Sequence, residues 1–129
     1  MKVTAWLVPA ILVFSAIPAA AQLPTPGIAA ADTTRHFLLN KDGGVISIEA
    51  INEDPTLPDA IRAHLVRIAA AGVPELQRLG TEINYTFEAT ADGGQVLLKT
   101  RNAEALSAIH EYLRFEIREF HTGDTEEIE

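Results

Sequence analysis

The sequence predicts an α+β fold: a two-layer sandwich built from a β-β-α unit used twice, with a four-stranded antiparallel sheet and two helices on one of its faces. Three observations lead there. Apolar residues alternate with a period near two in four short segments, the pattern of strands with one buried face. Two other segments carry apolar residues three and four positions apart, the stripe of an amphipathic helix. The order strand, strand, helix occurs twice, and Asp42-Gly43-Gly44 recurs as Asp92-Gly93-Gly94, 50 positions later.

The first strand is expected over Arg35–Leu39 and the second over Val45–Ile51, joined by Asn40-Lys41-Asp42-Gly43-Gly44, where the glycines would supply positive φ for a tight turn. Ile46, Ile48 and Ala50 then share one face with Phe37 and Leu39, and His36, Leu38, Val45, Ser47 and Glu49 share the other. Asp54-Pro55-Thr56 and Pro58 announce a helix start, and Leu57, Ile61, Leu65 and Ile68 form its buried stripe. Gly72-Val73-Pro74 stops it, leaving Glu75 to Gly80 as a short connection. Ile83, Tyr85 and Phe87 begin the second unit, Ala91-Asp92-Gly93-Gly94 turns the chain, and Val96, Leu98 and Thr100 alternate on the return. Asn102 is placed to cap a helix striped by Leu106, Ile109, Leu113, Ile117 and Phe120. One such unit cannot bury its own apolar face, whereas two together form a closed layer pair.

The domain organisation follows. Residues 1–21 have a basic start, an apolar run and a closing Ala19-Ala20-Ala21, the order of a secretory signal peptide whose apolar part is short for a membrane span. Residues 22–33 carry two prolines and no period, a flexible leader; 34–121 form the single α+β domain; 122–129 make an acidic tail expected to be solvated. The expected location is therefore secreted or periplasmic, with no membrane span after cleavage.

Composition excludes several functions. The 129-residue chain has 10 Lys and Arg against 18 Asp and Glu, a net charge of −8, and losing residues 1–21 removes one lysine and no acid. So acidic a protein is a poor partner for nucleic acid or anionic lipid. With no cysteine in the sequence, disulfides, thiolate metal sites and cysteine nucleophiles are excluded, as is an N-terminal lipid anchor. Beyond residue 21 the only serines are Ser47, mid-strand, and Ser107, mid-helix; neither stands on a nucleophile turn. Each Asp-Gly-Gly joins strand to strand and opens no helix, so neither cradles phosphate.

The remaining candidates are few. Of the four histidines, His64 and His110 lie on different helices beside core positions; they either hydrogen-bond along the helix–helix seam or form a two-histidine site for copper or zinc. His36, by alternation, faces away from the helices. The open sheet face would carry Leu38, Val45, Ile51 and Leu97 among polar side chains, a contact for a second copy, a ligand or a protein partner.

Thr33-Thr34-Arg35-His36-Phe37, the Asp42-Gly43-Gly44 turn, Ile61-Arg62-Ala63-His64-Leu65, Val73-Pro74-Glu75-Leu76 and Ile109-His110 give the chain a resemblance to a group of small secreted bacterial proteins that sometimes carry the label aspartate carbamoyltransferase; the likeness runs over residues 33–121. It implies export and, through the label, carbamoyl transfer. In that group an Ile-His-Gly and an Asp-Met-Pro-Gly-Leu follow the first helix, where this chain runs from Arg67-Ile68-Ala69-Ala70-Ala71-Gly72 straight into Val73-Pro74, and the group's first-strand histidine falls at Arg35. Carbamoyl transfer also needs a cationic phosphate site and an arginine grip on a dicarboxylate. Here Thr33-Thr34-Arg35 leads into a strand, with no helix N-terminus behind it. The residues therefore favour an exported, non-enzymatic binding or interaction domain over a small periplasmic enzyme or a histidine-based metal-binding protein.

Overall fold

The computed structural model describes residues 30–129, so the expected signal peptide and most of the expected leader lie outside the described residues. A short 3-10 turn, Ala30–Asp32, leads into β1 (Thr33–Asn40), β2 (Gly43–Ala50), α1 (Leu57–Ala71), a 3-10 segment (Pro74–Glu82), β3 (Asn84–Thr90), β4 (Gly93–Lys99) and α2 (Ala103–Glu119). The strands form one antiparallel sheet in the order β1-β2-β4-β3, with both helices on one side, as the two-layer expectation requires.

The two hairpins meet along β2 and β4 with internal symmetry. Ile46 pairs with Val96 at the centre, while Gly43 pairs with Lys99 at one end and Glu49 with Gly93 at the other. The ladder closes at both ends by equivalent bonds, Ala50 N–H to Asp92 O and Thr100 N–H to Asp42 O, each 2.9 Å. Positions 50 apart thus exchange roles across the axis. The helices are exchanged between units: α1 lies mainly over β4 and β3, and α2 over β1 and β2.

The paired glycines serve this packing rather than the turns, which corrects the sequence reading. None of Gly43, Gly44, Gly93 and Gly94 has positive φ; among the described glycines only Gly72 and Gly123 do. A Cβ on Gly43 would stand 2.7 Å from the Leu98 carbonyl carbon and nearer still to its oxygen. One on Gly44 would overlap the Leu113 methyl and come within 2.6 Å of Leu38 O. Gly93 meets the Ile48 carbonyl in the same way, whereas a Cβ on Gly94 would press first on the Phe87 ring (2.7 Å) and then on Glu88 O and the Leu65 methyl. The first glycine thus lets β2 and β4 approach and the second makes room for core side chains.

Leu57, Ile61 and Leu65 are buried from α1, as are Ile109, Leu113 and Ile117 from α2, against Phe37, Leu39, Ile46, Ile48, Val96 and Leu98 of the sheet. The α2 stripe begins at Ala105, not Leu106, and Phe120 is its C-cap, 41% exposed. Asn102 caps as expected, accepting the Ala105 N–H at 2.8 Å. At the start of α1, Asp54 accepts the Thr56 N–H and hydroxyl, an Asx turn that leads into Leu57 and Pro58. Gly72, at φ 84°, ends the helix. The supposed loop after it is a 3-10 segment whose Leu76 and Leu79 are buried.

The acidic tail is also not free in solvent. His121, at φ 52°, occupies the left-handed position just beyond α2, with the Thr122 N–H returning to Ile117 O and the His121 N–H to Arg118 O. The chain then runs back along the outer edge of β1. Ile128 bridges Leu39 in parallel sense, and the Glu129 N–H donates to Leu39 O at 2.8 Å. Arg114 and Arg118 hold Glu126, through its carbonyl (2.9 Å) and its carboxylate (3.0 Å) respectively. An edge strand left bare is a template for unwanted pairing, and this tail covers part of one.

Candidate functional site

The two histidines singled out by sequence face different surroundings. His110 is 5% exposed and reaches the β1–β2 turn, where its Nε2 lies 2.7 Å from Asn40 O and 3.1 Å from Gly43 O. Both partners are carbonyl oxygens, so Nε2 carries the hydrogen and donates it. The equivalent residue of the first unit is Arg62, whose Nε donates to Gly93 O (2.9 Å) and Nη2 to Thr90 O (2.7 Å) and Ala91 O (3.0 Å). Each helix thus clasps the turn of the hairpin it covers, one with an imidazole and the other with a guanidinium.

His64 lies instead in the field of Arg35 and Arg67; partial burial and then those two charges lower its pKa. His36 is on the open side of the sheet, as alternation requires, with its Nδ1 2.9 Å from Asp124. Among the described residues no group of three or more His, Asp or Glu side chains is gathered closely enough to hold a metal ion.

The sheet face away from the helices is ordered in rows by the strand register. Leu38 pairs with Val45, Val45 with Leu97 and Leu97 with Thr86, giving one apolar row across the sheet. The next row is His36, Ser47, Gln95 and Glu88, and the row on the other side ends in Lys99 and Asn84. Leu38 is 38% exposed, with Val45 and Leu97 half-buried. Ile51, grouped with them on sequence, stands past the end of β2 at 61% exposure, several rows away. The apolar patch is therefore Leu38, Val45 and Leu97.

A feature that sequence reasoning missed lies at the N-terminal half of β1. Thr34, Arg35, His36, Phe120, His121 and Thr122 line an open cleft of about 340 Å³. The Arg35 guanidinium lies 4.8 Å from the centre of the Phe120 ring, which in turn stacks on Phe37 at 6.3 Å. Behind them Tyr112 donates to Glu116 at 3.1 Å. Burial raises the pKa of Tyr112, and the Glu116 charge adds to it. Burial likewise raises that of Glu116, opposed by the Tyr112 hydrogen bond and the Arg35 charge. The sequence signal was Thr33-Thr34-Arg35-His36, two hydroxyls, a guanidinium and an imidazole in a row, but nothing in it announced that the chain would return beyond α2 to close the cleft.

No known protein family, curated protein or solved structure matches the chain.

Proposed function

We propose that the protein is an exported, non-enzymatic binding domain that meets its partner through the open face of the sheet. The observation that supports this reading is the Leu38–Val45–Leu97 row: three apolar side chains side by side across three strands, bordered by polar rows, with no element of the described chain packed over them. The neighbouring residues suit a specific contact, because Glu88 and Lys99 set charges of opposite sign on either side of the row. The histidines do not compete with this reading, since His110 is committed to a hairpin turn and His64 sits beside two arginines. Export rests on the order of residues in the first 21 positions and places the mature N-terminus at or near Gln22.

The test is site-specific photo-crosslinking in the export compartment. A photoreactive residue at Leu97 is expected to give a discrete adduct, either a dimer of this chain or a complex with another protein, and the adduct is expected to disappear when Leu38→Lys is added. The same probe at Glu111, on the outer side of α2, is expected to give none. Equal labelling from both positions, or no adduct from Leu97, would refute the reading. The intact mass of the same material reports the mature N-terminus.

A further inference from the structure

We propose that the cleft beside Arg35 is a binding site for a small carboxylate. It is distinct from the open-face contact, and three observations carry it. The lining contains an arginine, two histidines and threonine hydroxyls but no acid, in a chain with 18 acids and a net charge of −8. Such a local reversal of sign draws anions out of a field that otherwise repels them.

The second observation is an unmet need. Arg35 is half-buried, and its Nε is buried with no hydrogen-bond partner. Among the described residues its guanidinium makes no ion pair within 4 Å. Glu116, the acid in its field, stands beyond ion-pair distance, and Asp124 is held by His36 and Phe37. A half-buried guanidinium with no direct ion pair and an unmet N–H gains from an incoming anion. The Phe120 ring covers the flat side of the guanidinium, so its terminal Nη N–H groups remain to grip a ligand.

The third is a precedent one step along the same edge. The Asp124 carboxylate binds there with one oxygen on the Phe37 N–H (3.0 Å) and the other on His36 Nδ1 (2.9 Å). Strand alternation turns the Arg35 N–H outward on the same side as that of Phe37, two residues earlier. A carboxylate in the cleft meets the Arg35 N–H as Asp124 meets that of Phe37, with the Thr34 hydroxyl in the place of the His36 ring and the guanidinium fork added from the helix side.

The experiment is an amide-resolved NMR titration of the protein with sodium acetate, with sodium chloride and with inorganic phosphate, all at constant ionic strength. Acetate is expected to give saturable shifts at Thr34, Arg35 and His121, with a Kd on the order of 10 mM, as suits so small a ligand on one charged fork. Arg35→Gln is expected to abolish saturation, and Arg35→Lys, which keeps the charge and loses the fork, to weaken binding about tenfold. If Arg35→Gln fails to fold, His121→Gln and the chloride arm on the unmodified protein take its place. Shifts that are equal with chloride, that do not saturate, or that persist in a folded Arg35→Gln protein would overturn the site. Phosphate saturating more tightly than acetate would overturn the carboxylate class.

Discussion

Replacing Gly43 by alanine isolates the role of the paired glycines. The added methyl lands against backbone, 2.7 Å from the Leu98 carbonyl carbon and 3.1 Å from the Lys99 Cα, so no side chain can swing aside to admit it. Relief requires β2 and β4 to part by roughly 1 Å where their ladder ends, and overpacking of that kind costs about 1–3 kcal/mol. Loss of the adjoining Thr100 N–H to Asp42 O bond adds about 1 kcal/mol. The lower entropy of the unfolded alanine chain offsets about 0.5–1 kcal/mol. The expected net loss is about 1–3.5 kcal/mol, measured by urea denaturation followed by far-UV circular dichroism, with a fall in melting temperature on the order of 10 °C. Gly80→Ala is the control, because nothing lies within 4 Å of its added Cβ, and it should stay within about 0.5 kcal/mol of the parent. Gly43→Asn separates the two explanations of the motif. Asparagine tolerates positive φ, so it would be accepted in a turn that needs that geometry, but it overlaps Leu98 as badly as alanine does. A tolerated asparagine beside a damaging alanine, or an alanine within about 0.5 kcal/mol of the parent, would refute the close-approach account.

Other consequences are open to the same measurements. Leu65→Ala and Leu113→Ala, at the equivalent positions beneath the two helices, should each cost about 2–5 kcal/mol; an unchanged midpoint for either would mean its helix is wrongly phased. His110→Phe and Arg62→Met each leave hairpin carbonyls without their donor and should cost about 1–3 kcal/mol, the buried His110 more than the half-buried Arg62. Because His110 Nε2 already donates to two carbonyls, stoichiometric zinc or copper should leave the melting temperature unchanged; a rise lost in His64→Ala and His110→Ala alike would restore the metal reading. Partial burial raises the pKa of Asp124, but the Phe37 N–H, the Thr122 hydroxyl and the His36 ring outweigh it and hold that carboxyl below its usual range. Its contribution is therefore present above the unfolded carboxylate pKa of about 3.9 and fades as pH falls through the lower folded value. Asp124→Asn should remove less than about 1 kcal/mol at neutral pH, flatten the acid limb of the stability profile and quicken exchange of the Phe37 amide.

The fold was legible because its signals are periodic and local. Phe37, Leu39, Ile46 and Ile48 alternate cleanly, Leu57, Ile61 and Leu65 repeat every fourth residue, and Asn102 caps in its own sequence neighbourhood. What escaped depends on contacts between residues far apart. Leu76 and Leu79 are buried, yet two leucines three apart in a polar stretch do not distinguish a 3-10 segment from a loop. The tail's composition reads as solvated, and only the position of the β1 edge shows what Asp124, Glu126 and Ile128 hold on to. The start of the α2 stripe slipped because Leu106 outranks Ala105 in hydrophobicity, while it is Ala105 that is fully buried. The Arg35 cleft combines β1 with residues that follow α2, 85 positions later at Phe120, a separation no motif spacing conveys.

The exchange of helices between the two units bears on how the chain folds. Each hairpin contributes strands that its own helix largely leaves to the other unit, so a half that forms first has an apolar sheet surface with no local means of covering it. Neither unit is then expected to fold independently, and forms with one half complete should be poorly populated. Bringing β4 beside β2 closes a long loop, a non-local step whose entropy cost is expected to slow folding. Cut between residues 72 and 73, the polypeptide would yield two fragments that fold only on meeting. A lone copy of the β-β-α unit would face the same difficulty and resolve it by trading helices with a twin.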